Sequence, residues 1–370
     1  MGHDPFAPPR RNAQAVGLVA SLTDERFVPR PRVGPAKSSV TNTRSTNRYV
    51  ISIRRAGLGD CIICLGAAWL FARHTGRTLI ADWRRSRYAG NSATNAFALC
   101  FEALPELAGV PFIGDDRVAH LCLPRPRHPA LWNDDALLAE PPRRSDDAFL
   151  ADRDAAVALI RSRSDVAVPT VVFDACVNDG LVSVAHSRTF LSDLRPVTGV
   201  TELAAAFRES RLGTGPVIGL HIRHGNGART GHHHYWHSMD ASIERCRRAV
   251  RLARERLGTP APVLLCTDSV DVEMAARQAI ADVVCYSKMF RNSGAGELHM
   301  WNQTHKGRDD ALVEMLLLAR CSALIRYPPG SFYSFYAAVM GNWRSPLPDT
   351  VYDLQRRCDD DDPLSPAVIM

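Results

Sequence analysis

YVISIRRAGLGDCIICLGAAWLFARHTGRTLIAD, spanning Tyr49–Asp82, carries three structural elements in a row. Tyr49–Ile53 is a short apolar run rich in β-branched residues, the composition of a buried strand. The turn Ala56-Gly57-Leu58-Gly59-Asp60 follows, then an apolar helix from about Ile62 to His74, closed by Gly76. Thr78–Asp82 reads as the next strand. Strand, tight turn, helix, strand is the βαβ signature of a parallel α/β sheet.

Outward from this unit, Trp83 to about Ser164 is dense in Pro, Arg and Asp, and few elements can be placed there. Val168–Asp174 reads as another buried strand. The alternation then becomes regular: strand Pro216–Ile222, amphipathic helix Asp240–Leu257 ended by Gly258, strand Val263–Cys266, helix Val270–Ala281, strand Val283–Tyr286. A glycine-containing loop over Arg291–Arg308 leads to helix Asp309–Arg320, strand Ala323–Tyr327 and helix Ser331–Met340. No internal repeat is visible. A chain of 370 residues exceeds what one hydrophobic core organises comfortably. The expectation is two α/β halves joined near residues 190–210: an N-terminal domain over 48–200 and a C-terminal domain over 201–345. They are flanked by a basic, Pro/Arg-rich tail (1–47) and a C-terminal extension (346–370). Residues 1–47 read as a disordered tail, or alternatively as a transit peptide, being rich in Arg and Ser and poor in acids.

Composition excludes several classes. With 46% apolar and 23% charged residues the chain is that of a soluble globular protein. The net charge of +6 suits an anionic ligand, but the arginines are dispersed rather than clustered with aromatics, so a nucleic-acid partner is not expected. The opening MGHDPFAPPRRN lacks a secretory apolar core. The longest apolar run, around Cys61–Ala72, is shorter than the roughly 20 residues of a membrane span, so no stable membrane insertion and a cytoplasmic location are expected. Of ten cysteines, Cys266, Cys285 and Cys321 sit in apolar stretches. Cys61 and Cys64 form a lone CxxC with no second ligand pair at zinc spacing, so no metal is expected.

In a parallel sheet, ligands gather at the carboxyl ends of strands, which makes the residues just after each strand the candidates. HIRHGNG, His221–Gly227, follows a strand directly, and its glycines permit close backbone approach to an anion. Arg223 offers a planar fork to phosphate oxygens, and Asn226 orients an oxygen without adding charge. Gly57, Gly59 and Asp60 resemble half of a dinucleotide fingerprint, but Ile62 stands where its third glycine belongs. With Asp82 as a ribose-binding acid, an NAD-dependent oxidoreductase is the rival reading. Ser331, after Tyr327-Pro328-Pro329-Gly330, caps a helix or exposes amides to a phosphate. Asp268 in LLCTDS reads equally as a cap. Glu314, with apolar neighbours, needs a donor if it faces inward, and a nucleobase would serve. In His232-His233-His234-Tyr235-Trp236-His237 the spacing is wrong for one metal ion, whereas Tyr235 and Trp236 offer faces to a sugar.

YVISIRRAGLGDCIICLGAAW, HTGRTLIADWR, HIRHGNG, LLCTDS and LLLARCSALIRYPP together resemble, in the same order, segments of the rhizobial NodZ-type nodulation α-1,6-fucosyltransferases. More remotely they resemble the eukaryotic core α-1,6-fucosyltransferases. The resemblance spans roughly residues 47–345. It implies a GT-B glycosyltransferase fold, two Rossmann-like domains facing across a cleft, with the donor in the C-terminal one. It also implies GDP-β-L-fucose as donor, no cofactor or required metal, and inversion to an α-1,6 linkage on a chitin oligosaccharide or lipochitooligosaccharide (Nod factor). His221 falls on a guanine-side position and Arg223 on a pyrophosphate position, with His224 beside them. Glu314 falls where relatives usually carry Asp, Gly330 and Ser331 on the phosphate segment, and Leu298-His299 on a Leu-His pair. Asp268 is assigned to the donor side; Gly57, Gly59, Asp60, Tyr235 and Trp236 are assigned to the acceptor side. Relatives of the eukaryotic branch carry a carboxylate just beyond the arginine motif, yet no Asp or Glu occurs here between Asn226 and Asp240. His233, His234 or Asp240 is left as the candidate base, the histidines preferred for their pKa near neutrality.

Overall fold

A computed structural model describes residues 48–84, 86, 88–89, 93–139, 146–175, 177, 181–225, 238–290, 305–327, 331–341, 351–353 and 365–366. In chain order the first half contains β1 (Tyr49–Ser52), α1 (Leu58–Thr75), β2 (Thr78–Ala81), α2 (Ala96–Cys100), β3 (Glu106–Leu107), β4 (Val110–Ile113), β5 (Arg127–His128), α3 (Asp135–Ala139), α4 (Asp146–Ser162), β6 (Thr170–Phe173), α5 (Val184–Asp193) and α6 (Thr198–Phe207). The second half contains β7 (Ile218–Ile222), α7 (Met239–Leu257), β8 (Val263–Thr267), α8 (Val270–Ala279), β9 (Val283–Cys285), α9 (His305–Ala319), β10 (Ala323–Tyr327), α10 (Phe332–Gly341), β11 (Val351–Asp353) and β12 (Ser365–Pro366).

These strands form two sheets of six, ordered β3-β4-β2-β1-β6-β5 and β12-β11-β10-β7-β8-β9. Each is parallel except for one short antiparallel edge strand, β3 or β12. β6, β7, β8 and β10 are buried along their whole length, as strands covered on both faces must be. Each fully buried aliphatic side chain among them is worth about 1.5–3 kcal/mol.

The βαβ reading of Tyr49–Asp82 holds, with one shift. α1 begins at Leu58 rather than Ile62, so Gly57 is the N-cap residue and Gly59 and Asp60 lie in the first turn. Gly57 has no side chain to cap with, and the buried Tyr88 hydroxyl accepts from Leu58 N at 3.1 Å in its place. Gly76 closes the helix in the left-handed conformation at φ 66°. The stretch expected to be irregular supplies two of the sheet's parallel strands, β4 and β5, and the 17-residue helix α4. A two-residue strand carries no period to read.

The hydrophobic interior does not divide at residues 190–210. One cluster covers one face of the first sheet with α1, α4, α5 and α6, and continues through α9 and α10 onto one face of the second sheet. α10 follows β10 in sequence yet packs on α1 and α5 as well as on α9. Gly341 at its end lies so close to α9 that a Cβ would stand 2.0 Å from the Ala319 carbonyl oxygen. Separate clusters line the outer faces: Ile51, Ile80 and Trp132 on the first sheet, and α7 with α8 on the second. Cys61 and Cys64 are free and buried, and their thiols point at the carbonyls of Arg54 and Phe173. Burial pushes the Cys64 thiol up to about 12, so the CxxC is core packing.

Candidate active site

β7 alternates sides with period two. Ile218, Leu220 and Ile222 face α7 and α8, which turns Gly219 and His221 toward α9 and α10. His221 is 6% exposed, its ring lies 5.3 Å from that of Tyr333 on α10, and its Nδ1 has no hydrogen-bond partner among the described residues. Tyr333 is itself fixed, donating its hydroxyl to the Ala311 carbonyl on α9. Burial pushes the His221 pKa down to about 3; Asp268 opposes this, while Arg223, Lys288 and Arg326 add to it. The imidazole is therefore neutral at any pH near 7, with one nitrogen available as an acceptor or donor.

Arg223 leaves the strand directly after Ile222, its backbone N–H donating to the Tyr327 carbonyl at the end of β10 at 2.8 Å. Its Nη1 meets Asp268 Oδ2 at 2.5 Å. Asp268 also accepts from His224 N at 2.8 Å and from Gly225 N at 3.0 Å. Burial works against the Asp268 charge, but Arg223 and the two amides outweigh it and hold the carboxyl below its ordinary range. Gly225 takes φ 80°, a conformation that favours glycine, and this lets both amides converge on one carboxylate. The helix-cap reading of Asp268 is corrected: Ser269 caps α8 by accepting from Val272 N, and Asp268 holds Arg223 and the turn instead.

Glu314, on α9, does face inward, at 6% exposure, but its donor is a protein side chain. Lys288 Nζ meets Glu314 Oε1 at 2.6 Å, and the ammonium also lies 5.1 Å from the Phe290 ring centroid. Burial disfavours the Lys288 charge, yet the Glu314 carboxylate more than offsets it, so the ammonium stays charged. Lys288, Tyr333 and Arg326, which lies beside His221 in register, are site residues that the sequence reading missed. Lys288 carried a signal, standing three residues beyond β9 at a strand's carboxyl end.

Asp240 is exposed in the first turn of α7, whose N-cap is Ser238. Ser331 immediately precedes α10 and accepts from Phe335 N through its carbonyl. Asp82 is engaged by Arg84 through both carboxylate oxygens, at 2.8 and 2.9 Å, which leaves it poorly placed for a ribose. Asn226, His233, His234, Tyr235, Trp236, His299 and Gly330 lie outside the described residues. Among the described residues no cluster of three metal-ligating side chains occurs.

The model of the nodulation protein Z (NodZ) family matches residues 46–345. The chain belongs to the nodulation protein Z family. It is 38% identical over 296 residues to nodulation protein Z of Sinorhizobium fredii, covering 79% of this chain and 91% of that one. Against the Bradyrhizobium diazoefficiens protein it is 37% identical over 297 residues, 80% of each chain. The crystal structure of the fucosyltransferase NodZ from Bradyrhizobium superposes with a TM-score of 0.66 at 33% identity, over 79% of this chain and 91% of that one. The NodZ α-1,6-fucosyltransferase co-crystallised with GDP gives the same figures. Arabidopsis thaliana FUT1 in complex with GDP shares the fold at a TM-score of 0.51 and 15% identity, over 87% of this chain and 74% of that one. The fold is GT-B, with His221 and Arg223 at the carboxyl end of the central strand of its second sheet.

Proposed function

We propose that this member of the family is an inverting α-1,6-fucosyltransferase. It transfers L-fucose from GDP-β-L-fucose to the 6-hydroxyl of the reducing-end N-acetylglucosamine of a chitin oligosaccharide or Nod factor, in the cytoplasm and without a metal. The observation that carries the reading is the pairing, at the end of β7, of a buried neutral His221, one nitrogen of which is unpartnered among the described residues, with Arg223 held by Asp268. Breaking the fucose–phosphate bond builds negative charge on departing GDP. A guanidinium already fixed in place stabilises that charge without reorganising. In this reading His221 meets the guanine side, Arg223 the pyrophosphate, and Gly330 and Ser331 complete the phosphate cradle before α10. Gly57, Gly59 and Asp60, with Tyr235 and Trp236, belong to the acceptor side. His233 or His234 takes the proton from the acceptor hydroxyl in preference to Asp240, which is exposed on α7.

The test is GDP release from GDP-fucose with chitotetraose, EDTA present throughout, in wild type and Arg223→Ala. Acceptor-dependent release should survive EDTA and fall by about 10²–10³ in the variant, the usual cost of one preorganised charge-stabilising group. Release that requires added metal, or that is indifferent to Arg223, would refute the mechanism. A second reading, a GDP-sugar binder without turnover, draws on the missing carboxylate between Asn226 and Asp240. It predicts binding of GDP-fucose with no release under any acceptor.

A further inference from the structure

The last turn of α1, the residue after α4 and the first turn of α5 meet on the helical layer of the first sheet. Two groups flank the buried Trp69 ring there. The Arg73 guanidinium lies 5.4 Å from its centroid, and the His186 ring stands T-shaped to it at 6.4 Å. His186 is fixed by Ser183, whose hydroxyl lies 3.1 Å from its Nδ1 and accepts from its backbone N–H at 3.2 Å. His74 and Arg163 complete the group, and both arginines lie close enough to both imidazoles to act on their charge. Partial burial pushes the two imidazole pKa values down, and the neighbouring cations push them further. Among the described residues no carboxylate opposes that push.

The positive charge here is left without its usual compensation. Arg73 and Arg163 make no ion pair among the described residues, and Asp165, two residues beyond Arg163, is taken by Arg48 and Arg77. The carboxyl ends of α1 and α4 favour a cation each. That does not account for His186, which stands in the first turn of α5, the end at which a helix disfavours positive charge. Arg163 also takes φ 50°, the left-handed conformation that glycine usually supplies just past a helix. An arginine kept there against that preference points to a use for its guanidinium.

We propose that Arg73, His74, Arg163 and His186 form a surface site for a dianionic phosphate group, either the free ion or a monoester, sharing no residue with the site around His221 and Arg223. Two permanent charges match a dianion, and planar guanidinium forks match pairs of phosphate oxygens. The amino end of α5 adds partial positive charge on the same side. An arriving dianion reverses the repulsion among the cations, so both imidazoles take up protons more readily in the complex.

Imidazole proton resonances of the full chain, assigned with His74→Gln and His186→Gln, report on this site alone. They are followed against pH in inorganic phosphate and in sodium chloride of equal ionic strength, for wild type, Arg73→Gln and Arg163→Gly. Phosphate should raise both titration midpoints saturably, by about one unit beyond chloride. Each variant should need about tenfold more phosphate for the same shift, the loss of a hydrogen bond to a charged group. Arg163→Gly should do so with an unfolding midpoint at or above that of wild type, because glycine takes the left-handed angle freely. An equal response in chloride, or the same phosphate response in both variants, would overturn the proposal. Sedimentation with phosphatidylcholine vesicles, with and without phosphatidic acid, then separates the sources. Capture that requires phosphatidic acid and is lost in Arg73→Gln assigns a lipid headgroup, and phosphate binding without capture assigns a soluble phosphate. Capture without any imidazole response to phosphate would count against the site.

Discussion

Arg77 and the group around His221 are both buried, polar and wrapped by strands, yet only one is complete by itself. Arg77, wholly buried at the amino ends of β1 and β6, uses all five of its donors. Nε meets Asp165 Oδ1 at 2.7 Å, Nη1 reaches the Tyr49 and Pro169 carbonyls at 3.3 and 3.1 Å, and Nη2 reaches Val166 and Val168 at 2.7 Å each. At the carboxyl end of the second sheet, His221 Nδ1 has no partner among the described residues. A buried polar group without a partner costs about 1–3 kcal/mol. A fold therefore keeps such groups where something else supplies the partner. The comparison separates a buried charge that closes a sheet from buried groups that await a ligand, and it agrees with the rule that ligands of parallel sheets bind at the carboxyl ends.

The largest effect should come from the complete site. Arg77→Ala leaves Asp165 with Arg48 alone and withdraws the buried guanidinium from the Tyr49, Val166, Val168 and Pro169 carbonyls, and losing hydrogen bonds made by a charged group in this way costs about 3 kcal/mol. Denaturant unfolding should show that loss in the midpoint, while the GDP dissociation constant of the remaining folded protein stays at its wild-type value. A changed dissociation constant would mean that the two sites are coupled, and the contrast between them would break.

The incomplete site should show itself through pH. His221 has a folded pKa near 3 against an ordinary value of 6.5, so below pH 6.5 the unfolded chain binds a proton that the native protein refuses. Stability is unaffected above about 6.5 and is lost as pH falls from there toward 3. Between pH 7 and 5 this amounts to about 2 kcal/mol. His74, His128 and His186 are also depressed by burial and act in the same direction, so the measurement is a difference. His221→Phe keeps an aromatic ring against Tyr333 and removes the titration. Its unfolding midpoint should fall less between pH 7 and 5 than that of wild type, and an equal fall would show that His221 is not held neutral.

How far the sequence reached follows from what each element needs. β1, α1, β2, β7, α7, β8 and β10 were legible because each carries its own apolar run or helical period with glycine at the close, as at Gly76 and Gly258. β3 and β5, at two residues each, are set by neighbours distant in sequence. The single core shared through α10 was also invisible, because no local pattern states which sheet a helix will cover. His221 and Arg223 were readable as residues at a strand's exit. Lys288 was not singled out, since only the fold brings the end of β9 against α9. The role of Asp268 was misread because capping by Asp268 and capping by its neighbour Ser269 look alike in one dimension.

The carboxyl end of the first sheet is the intermediate case, and it supplies the smallest effect. Tyr88 is 4% exposed and its hydroxyl accepts from Leu58 N, doing from outside what the side chain of Gly57 cannot. It also lies close enough to Tyr333, beneath His221, to interact with it electrostatically. If this end of the sheet is closed in the manner of Arg77, Tyr88→Phe removes a cap and nothing else. The expected cost is then about 1 kcal/mol in unfolding, typical of a lost N-terminal cap, with GDP affinity unchanged because the ring still packs against its neighbours. A drop in GDP affinity without loss of stability would place Tyr88 in the donor site and extend the incomplete region across both sheets. The first outcome is the one the geometry favours, because the Leu58 amide already has its partner and asks nothing of a ligand.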